Sequence, residues 1–100
     1  MVSKVKLNDS NSTRVPAEAL QTQLSSIFEA VGCSERHAEI AAKVLVAASV
    51  RGVDTHGVAN VVGYSKNAAD GTYTVPQETS VISESETTAL VSGGNGIGLV

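Results

Sequence analysis

Between Arg51 and Tyr64 the chain places five side chains able to exchange protons or hydrogen bonds with a small polar ligand: Asp54, Thr55, His56, Asn60 and Tyr64. Imidazole, carboxamide, phenol and hydroxyl together supply donors and acceptors suited to a molecule bearing hydroxyl and carboxylate groups. If Asp54 or Thr55 caps a helix running to about Ala69, residues four apart advance about 40° beyond a full turn. His56, Asn60 and Tyr64 then form a slowly winding polar line ~12 Å long, within reach of one ligand. Asp54 and Thr55 add a carboxylate and a hydroxyl beside backbone N–H groups that favour an anion. Each residue also has a plain structural use: Asp54 or Thr55 as a cap, His56 as a first-turn histidine, Tyr64 as the edge of an apolar face. As a set they read as one wall of an active site.

Several elements must hold that wall in place. Pro16 suits the first turn of a helix, and Leu20, Leu24, Ile27, Phe28 and Val31 recur at intervals of three and four to form one apolar stripe. Gly32 stands where a helix-ending glycine belongs. Ser34 is placed to cap a second helix, with Glu35 and Glu39 near its positive end and Ile40, Val44, Leu45 and Ala48 as its buried side. Only Gly32 and Cys33 separate the two helices, which predicts a hairpin or sharp corner in which each covers the other's stripe. The third helix offers Val58, Val61, Val62 and Ala68 as contacts and stops at Gly71. Gly63 inside it costs about 1 kcal/mol relative to alanine, which suggests either a close backbone approach or a helix held by its surroundings. After Val75 and Pro76 the period changes. Thr79 to Ser83 and Thr87 to Ser92, joined by Glu84, Ser85 and Glu86, predict two short strands paired as a hairpin. The glycine cluster from Gly93 to Gly98 does not spell G-x-G-x-x-G and has no helix after it, so it reads as a turn after a strand.

Composition narrows the function classes. One hundred residues fit one small domain, and three aromatics with no Trp leave a core built of small side chains. The formal net charge of −3 is spread as single charges, so no basic patch invites nucleic acid. The longest apolar stretch, Val44 to Val50, is broken by Ser49 and flanked by Lys43 and Arg51. It falls far short of the roughly 20 residues a membrane span needs. No signal-peptide run is present near Lys4 and Lys6, and the expectation is a soluble, cytoplasmic protein. Cys33, the only cysteine, is expected as a small buried residue at the helix junction. No metal is expected.

The order of the motifs resembles the type 2 malate/L-lactate dehydrogenase family, which includes the ureidoglycolate and sulfolactate dehydrogenases. The resemblance rests on G-C-S-E-R-H-A-E-I-A-A from Gly32, R-G-V-D-T-H-G-V from Arg51, Y-S-K-N-A-A-D-G from Tyr64, and T-A-L-V-S-G-G-N-G-I-G from Thr88. It implies an NAD(P)-dependent oxidoreductase, using NAD or NADP, that interconverts a 2-hydroxy acid and its 2-oxo acid. In such enzymes the hydroxyl-His-Gly loop lies near nicotinamide and substrate. That carries Thr55, His56, Asn60 and Tyr64 over as substrate-binding candidates, with His56 also the catalytic candidate. Thr55 stands where the family usually has Ser, and Asn60 where it usually carries an arginine, whose guanidinium would hold a carboxylate through two charge-assisted bonds. The family's proton-donating histidine and most of its dinucleotide-binding residues fall beyond Val100, so the chain alone is expected to be inactive. A homodimer is the implied state of a full-length member.

The expected fold class is α+β. A polar arm (1–15) precedes a helical subdomain of about three helices (16–74), and residues 75–100 begin a truncated, mostly β, nucleotide-binding domain with its first hairpin. The competing reading is a non-catalytic remnant that serves as a small helical interaction module.

Overall fold

A computed structural model describes residues 12–100. The expected short strand around Val2, Val5 and Leu7 lies outside the described residues. Three α-helices are followed by a two-stranded antiparallel sheet, an α+β arrangement.

Helix α1 spans Ala17–Ala30 and begins where Pro16, at φ −58°, fixes the entry and its carbonyl accepts the Leu20 N–H at 3.1 Å. Glu18 lies in its first turn, where a negative charge suits the exposed N–H groups. The helix ends in a Schellman motif. Gly32, at φ +114°, donates its N–H to Glu29 O, and Cys33 N–H reaches back to Phe28 O. Ser34 then caps α2 (Glu35–Val50) by accepting the His37 N–H at 3.2 Å. The same motif closes α2, with Gly52 at φ +80°, Gly52 N–H on Ser49 O and Val53 N–H on Ala48 O.

The expected corner therefore forms, and α1 and α2 pack along their length. The face that α2 buries differs from the expected one. Ala38, Ala41, Ala42, Leu45 and Val46 are buried, Ile40 and Ala48 are only half-buried, and Val44 is 42% exposed. The sequence pattern weights the larger side chains, whereas here the methyl-sized alanines turn inward. Phe28, fully buried, shares one core cluster with them, and small residues on the facing helix leave room for its ring.

Burial pushes the Cys33 thiol above its usual range. Below that range the thiol is neutral in both states. Above it the unfolded thiol ionises first, so this residue's contribution to stability is present at neutral pH and is lost as pH rises through the folded value. The native chain is accordingly expected to alkylate slowly with iodoacetamide at neutral pH and rapidly in denaturant. Equal rates in the two conditions would contradict a buried thiol.

The third helix starts later than its sequence suggests. Asp54–His56 and Val58–Asn60 are separate 3-10 turns, and α3 proper is Val61–Ala69. Neither Asp54 nor Thr55 provides a side-chain cap. Ala68 is buried and Val58 and Val61 pack against the core, but Val62 is 70% exposed. At Gly63 a Cβ would meet nothing within 4 Å, so no backbone approaches closely there.

Strands β1 (Ser80–Glu84) and β2 (Ala89–Ser92) pair from Ser80 opposite Ser92 to Glu84 opposite Ala89, with a bulge between Val81 and Ser83. Ser85 ties the loop between them by accepting the Thr88 N–H at 3.1 Å. Val81, Ile82, Leu90 and Val91 are all exposed.

Beyond β2 the chain returns to the helices. Gly94 and Asn95 both take positive φ, 65° and 58°. Asn95 O accepts the Thr74 N–H at 2.8 Å, and its side chain donates to Thr72 O. Gln77, only 6% exposed, then clamps Ile97 from both sides of the peptide: Ile97 N–H donates to Oε1 at 2.8 Å, and Nε2 donates to Ile97 O at 3.2 Å. Ile97 is thereby driven into the helical core at 1% exposure.

Candidate functional site

The step at Gly57 sets the local geometry. Its backbone is extended, at φ −100° and ψ −156°, and it divides the turn carrying Thr55 and His56 from the turn ending at Asn60. The continuous helical line through His56, Asn60 and Tyr64 is therefore replaced by a folded loop. A helix cannot run through an extended residue.

Within that loop three of the expected residues are hydrogen-bonded to one another. Thr55 Oγ1 and His56 Nδ1 lie 2.9 Å apart, and Asn60 Nδ2 donates to Thr55 O at 3.0 Å. Backbone bonds brace it further: His56 N–H to Val53 O, Gly57 N–H to Asp54 O and Asn60 N–H to Gly57 O. With Nδ1 engaged by Thr55, the Nε2 edge of the exposed His56 ring is the one presented for outside contact. Thr55 and Asp54 are exposed too, while Asn60 and Tyr64 are half-buried.

Asn60 joins this loop to a second feature. With Gly63, Tyr64, Asn67 and Tyr73 it lines an open cleft of about 270 Å³. Tyr64 and Tyr73 meet there with ring centroids 6.2 Å apart and planes tilted by 34°, a separation within the range of favourable aromatic pairs. His56 and Thr55 do not line the cleft. A larger groove, about 720 Å³, runs between α1 and α2, but it is lined by residues such as Glu18, Glu29, Arg36, Glu39 and Lys43 and by none of the motif residues. Among the described residues no group of three or more His, Cys, Asp or Glu could hold a metal. Nor is any helix of the described residues long and apolar enough to cross a membrane.

Tyr73 and Ser49 also belong to this region, although nothing in the sequence assigns either to it. Tyr73 follows the Asp70 and Gly71 turn with no periodicity to mark it. Ser49 was visible as the polar interruption of an apolar run, one turn before the loop.

Two glycines of the turn are packed against the chain itself. A Cβ on Gly94 would strike the Glu78 carbonyl, and one on Gly96 would strike the Gln77 side chain. These two glycines admit the chain's own segment at 77–78, whereas a Cβ on Gly93 or Gly98 would meet nothing within 4 Å.

Residues 15–100 match the malate/L-lactate dehydrogenase family. The chain belongs to that family. It is similar to malate dehydrogenase of Pyrococcus horikoshii, at 34% identity over 92% of this chain and 26% of that protein. It is also similar to malate/(S)-sulfolactate dehydrogenase of Methanothermus fervidus, at 29% identity over 86% of this chain and 25% of that protein. The solved structure of malate dehydrogenase from P. horikoshii OT3 superimposes with a TM-score of 0.87 and 31% identity, covering 99% of this chain and 28% of that one. The chain thus spans about a quarter of the length of the dehydrogenases it matches, and its three helices and hairpin have the fold of a malate dehydrogenase N-terminal region. The family is one of oxidoreductases.

Proposed function

We propose that this dehydrogenase-family chain supplies the substrate- and nicotinamide-facing wall of an NAD(P)-dependent oxidoreductase that interconverts 2-hydroxy acids and 2-oxo acids of the malate or lactate type. The observation that carries the reading is the Thr55, His56 and Asn60 loop, in which internal hydrogen bonds fix the exposed imidazole beside an aromatic cleft. The donor set fits the polar end of such a ligand. Bound nicotinamide would supply or accept the hydride. His56 offers Nε2 for a hydrogen bond to the reacting oxygen, Thr55 orients its ring through Nδ1, and Tyr64 offers a phenol at the cleft.

Asn60 refines the substrate class. One of its N–H groups is engaged by Thr55 O, which leaves one N–H donor and the Oδ1 acceptor of a neutral carboxamide at the cleft. A neutral carboxamide can pair with a substrate hydroxyl through either group but holds a carboxylate more weakly than a guanidinium, so carboxylate recognition passes to other groups. These residues form one side of an open cleft, so the 100-residue chain alone is proposed to be inactive. The dimer, the NAD or NADP preference and a cytoplasmic setting belong to the same proposal.

The test is oxidation of NADH and NADPH with a panel of 2-oxo acids by the full-length protein carrying these residues. Turnover is expected, and His56→Ala is expected to lower kcat/KM by about ten-fold or more, the scale of a lost hydrogen bond to the reacting group. A full-length protein that binds neither dinucleotide would refute the proposal.

A further inference from the structure

Val58 opens the second 3-10 turn, and the residue before it is a glycine with no side chain to cap that turn. The N–H of Val58 is satisfied from α2 instead: Ser49 Oγ accepts it at 2.9 Å in a part-buried bond spanning nine residues. The same side chain fills the space beside Gly57, which is buried. A Cβ on Gly57 would collide with Ser49 Oγ and come within 3.3 Å of Ser49 Cβ. One residue earlier on α2, the Ala48 carbonyl accepts the Val53 N–H at 2.9 Å. The loop from Val53 to Val58 is thus clipped at its entry by Ala48 and at its exit by Ser49, with His56 and Thr55 between the two clips.

The entry clip is a backbone carbonyl that any residue would supply. The exit clip depends on a hydroxyl. We infer that Ser49 is a positioning residue for the His56 loop: by holding the Val58 N–H against α2 it fixes the step at Gly57 and so the placement of His56 relative to Asn60. This rests on the reading that those side chains face the ligand, but the hydroxyl's effect on loop geometry is measurable without one.

The experiment follows amide hydrogen exchange and the His56 ring resonances by NMR on the 100-residue chain without ligand, in the natural sequence, Ser49→Ala and Ser49→Thr. In Ser49→Ala the Val58 and Asn60 amides are expected to exchange about ten-fold faster, because a part-buried donor has lost its acceptor. The His56 ring signals should move with them, while the amides of Ala41, Ala42 and Leu45 keep their rates. Ser49→Thr, which retains the hydroxyl, is expected to restore the Val58 rate and the ring signals. An unchanged Val58 rate in Ser49→Ala overturns the inference. So does equal acceleration of the Ala41, Ala42 and Leu45 amides, which would make Ser49 a general structural residue, and so does failure of Ser49→Thr to restore the loop. Because no dinucleotide is present, these outcomes are independent of whether the full-length protein binds one.

Discussion

Replacing Phe28 by alanine is expected to leave the chain only marginally folded at room temperature. Phe28 is the largest fully buried side chain, and it shares its cluster with alanines, Leu24, Leu45, Val46 and Ile97. Removing a buried phenyl ring costs about 3–5 kcal/mol through lost transfer energy and the cavity left behind. The neighbours here are poorly able to close that cavity, since three of them are alanines whose methyl groups have no further reach. A natural domain has a total stability of roughly 5–15 kcal/mol, and one with so small a core sits toward the lower end. Each kcal/mol corresponds to about 4–8 °C in midpoint for a domain of this size, so the transition should fall by more than about 12 °C. Thermal melting followed by circular dichroism reads this directly. Val62→Ala is the control: an exposed valine on α3 is expected to change stability by no more than about 0.5 kcal/mol. A Phe28→Ala midpoint within a few degrees of the parent would mean that the helices are held by something other than this core.

The parts of the fold that were legible in the sequence are those written locally. The stripe of Leu24 and Phe28, the Gly32 corner, the Ser34 cap and the β-rich stretch after Pro76 each involve residues within a few positions of one another, and each appears in the structure. Propensity and spacing suffice for such features. The start of α3 was not legible. From Asp54 onward the residues could continue a helix, and what stops them is the close passage of Gly57 over Ser49, a contact between segments eight residues apart. A local pattern cannot register that approach. The inward face of α2 was misread for a related reason. Hydrophobic spacing ranks Val44 and Ile40 above alanine, but the spacing of two helices depends on how small the facing residues are, and that appears only when both are placed together. Within the candidate site, Thr55, His56 and Asn60 stood out by type and do meet, though through a folded loop in place of a helical line. Tyr73 and Ser49 reach the same region from outside the motif and carried no signature of their own.

The Gln77 clamp was equally hidden, and its loss is expected to be the largest effect of any polar substitution. Gln77 and Ile97 are 20 residues apart, and both hydrogen bonds between them are buried. Gln77→Met keeps most of the side-chain volume but strands the Ile97 N–H away from water, while the Ile97 C=O keeps only the Val100 N–H at 3.3 Å. At about 1–3 kcal/mol for one orphaned buried donor, the expected loss is of that order. Gln77→Ala should lose more, because a cavity is added and Ile97 is freed from the core. The consequence reaches the cleft. Thr74 N–H is held by Asn95 O, and Asn95 donates to Thr72 O, so the segment carrying Tyr73 is tied to the same returning strand of chain that Gln77 anchors. Tyr64 and Tyr73 are the only tyrosines and there is no Trp, so near-ultraviolet circular dichroism between 270 and 290 nm, in the usual range for phenol rings, reports on their packing almost alone. In Gln77→Met that signal is expected to weaken under conditions where far-ultraviolet dichroism still shows α1 and α2 folded. If urea unfolding places Gln77→Met within about 0.5 kcal/mol of the parent and the tyrosine signal is unchanged, the clamp contributes neither to stability nor to the cleft. Ile97 would then be held in the core by its own burial.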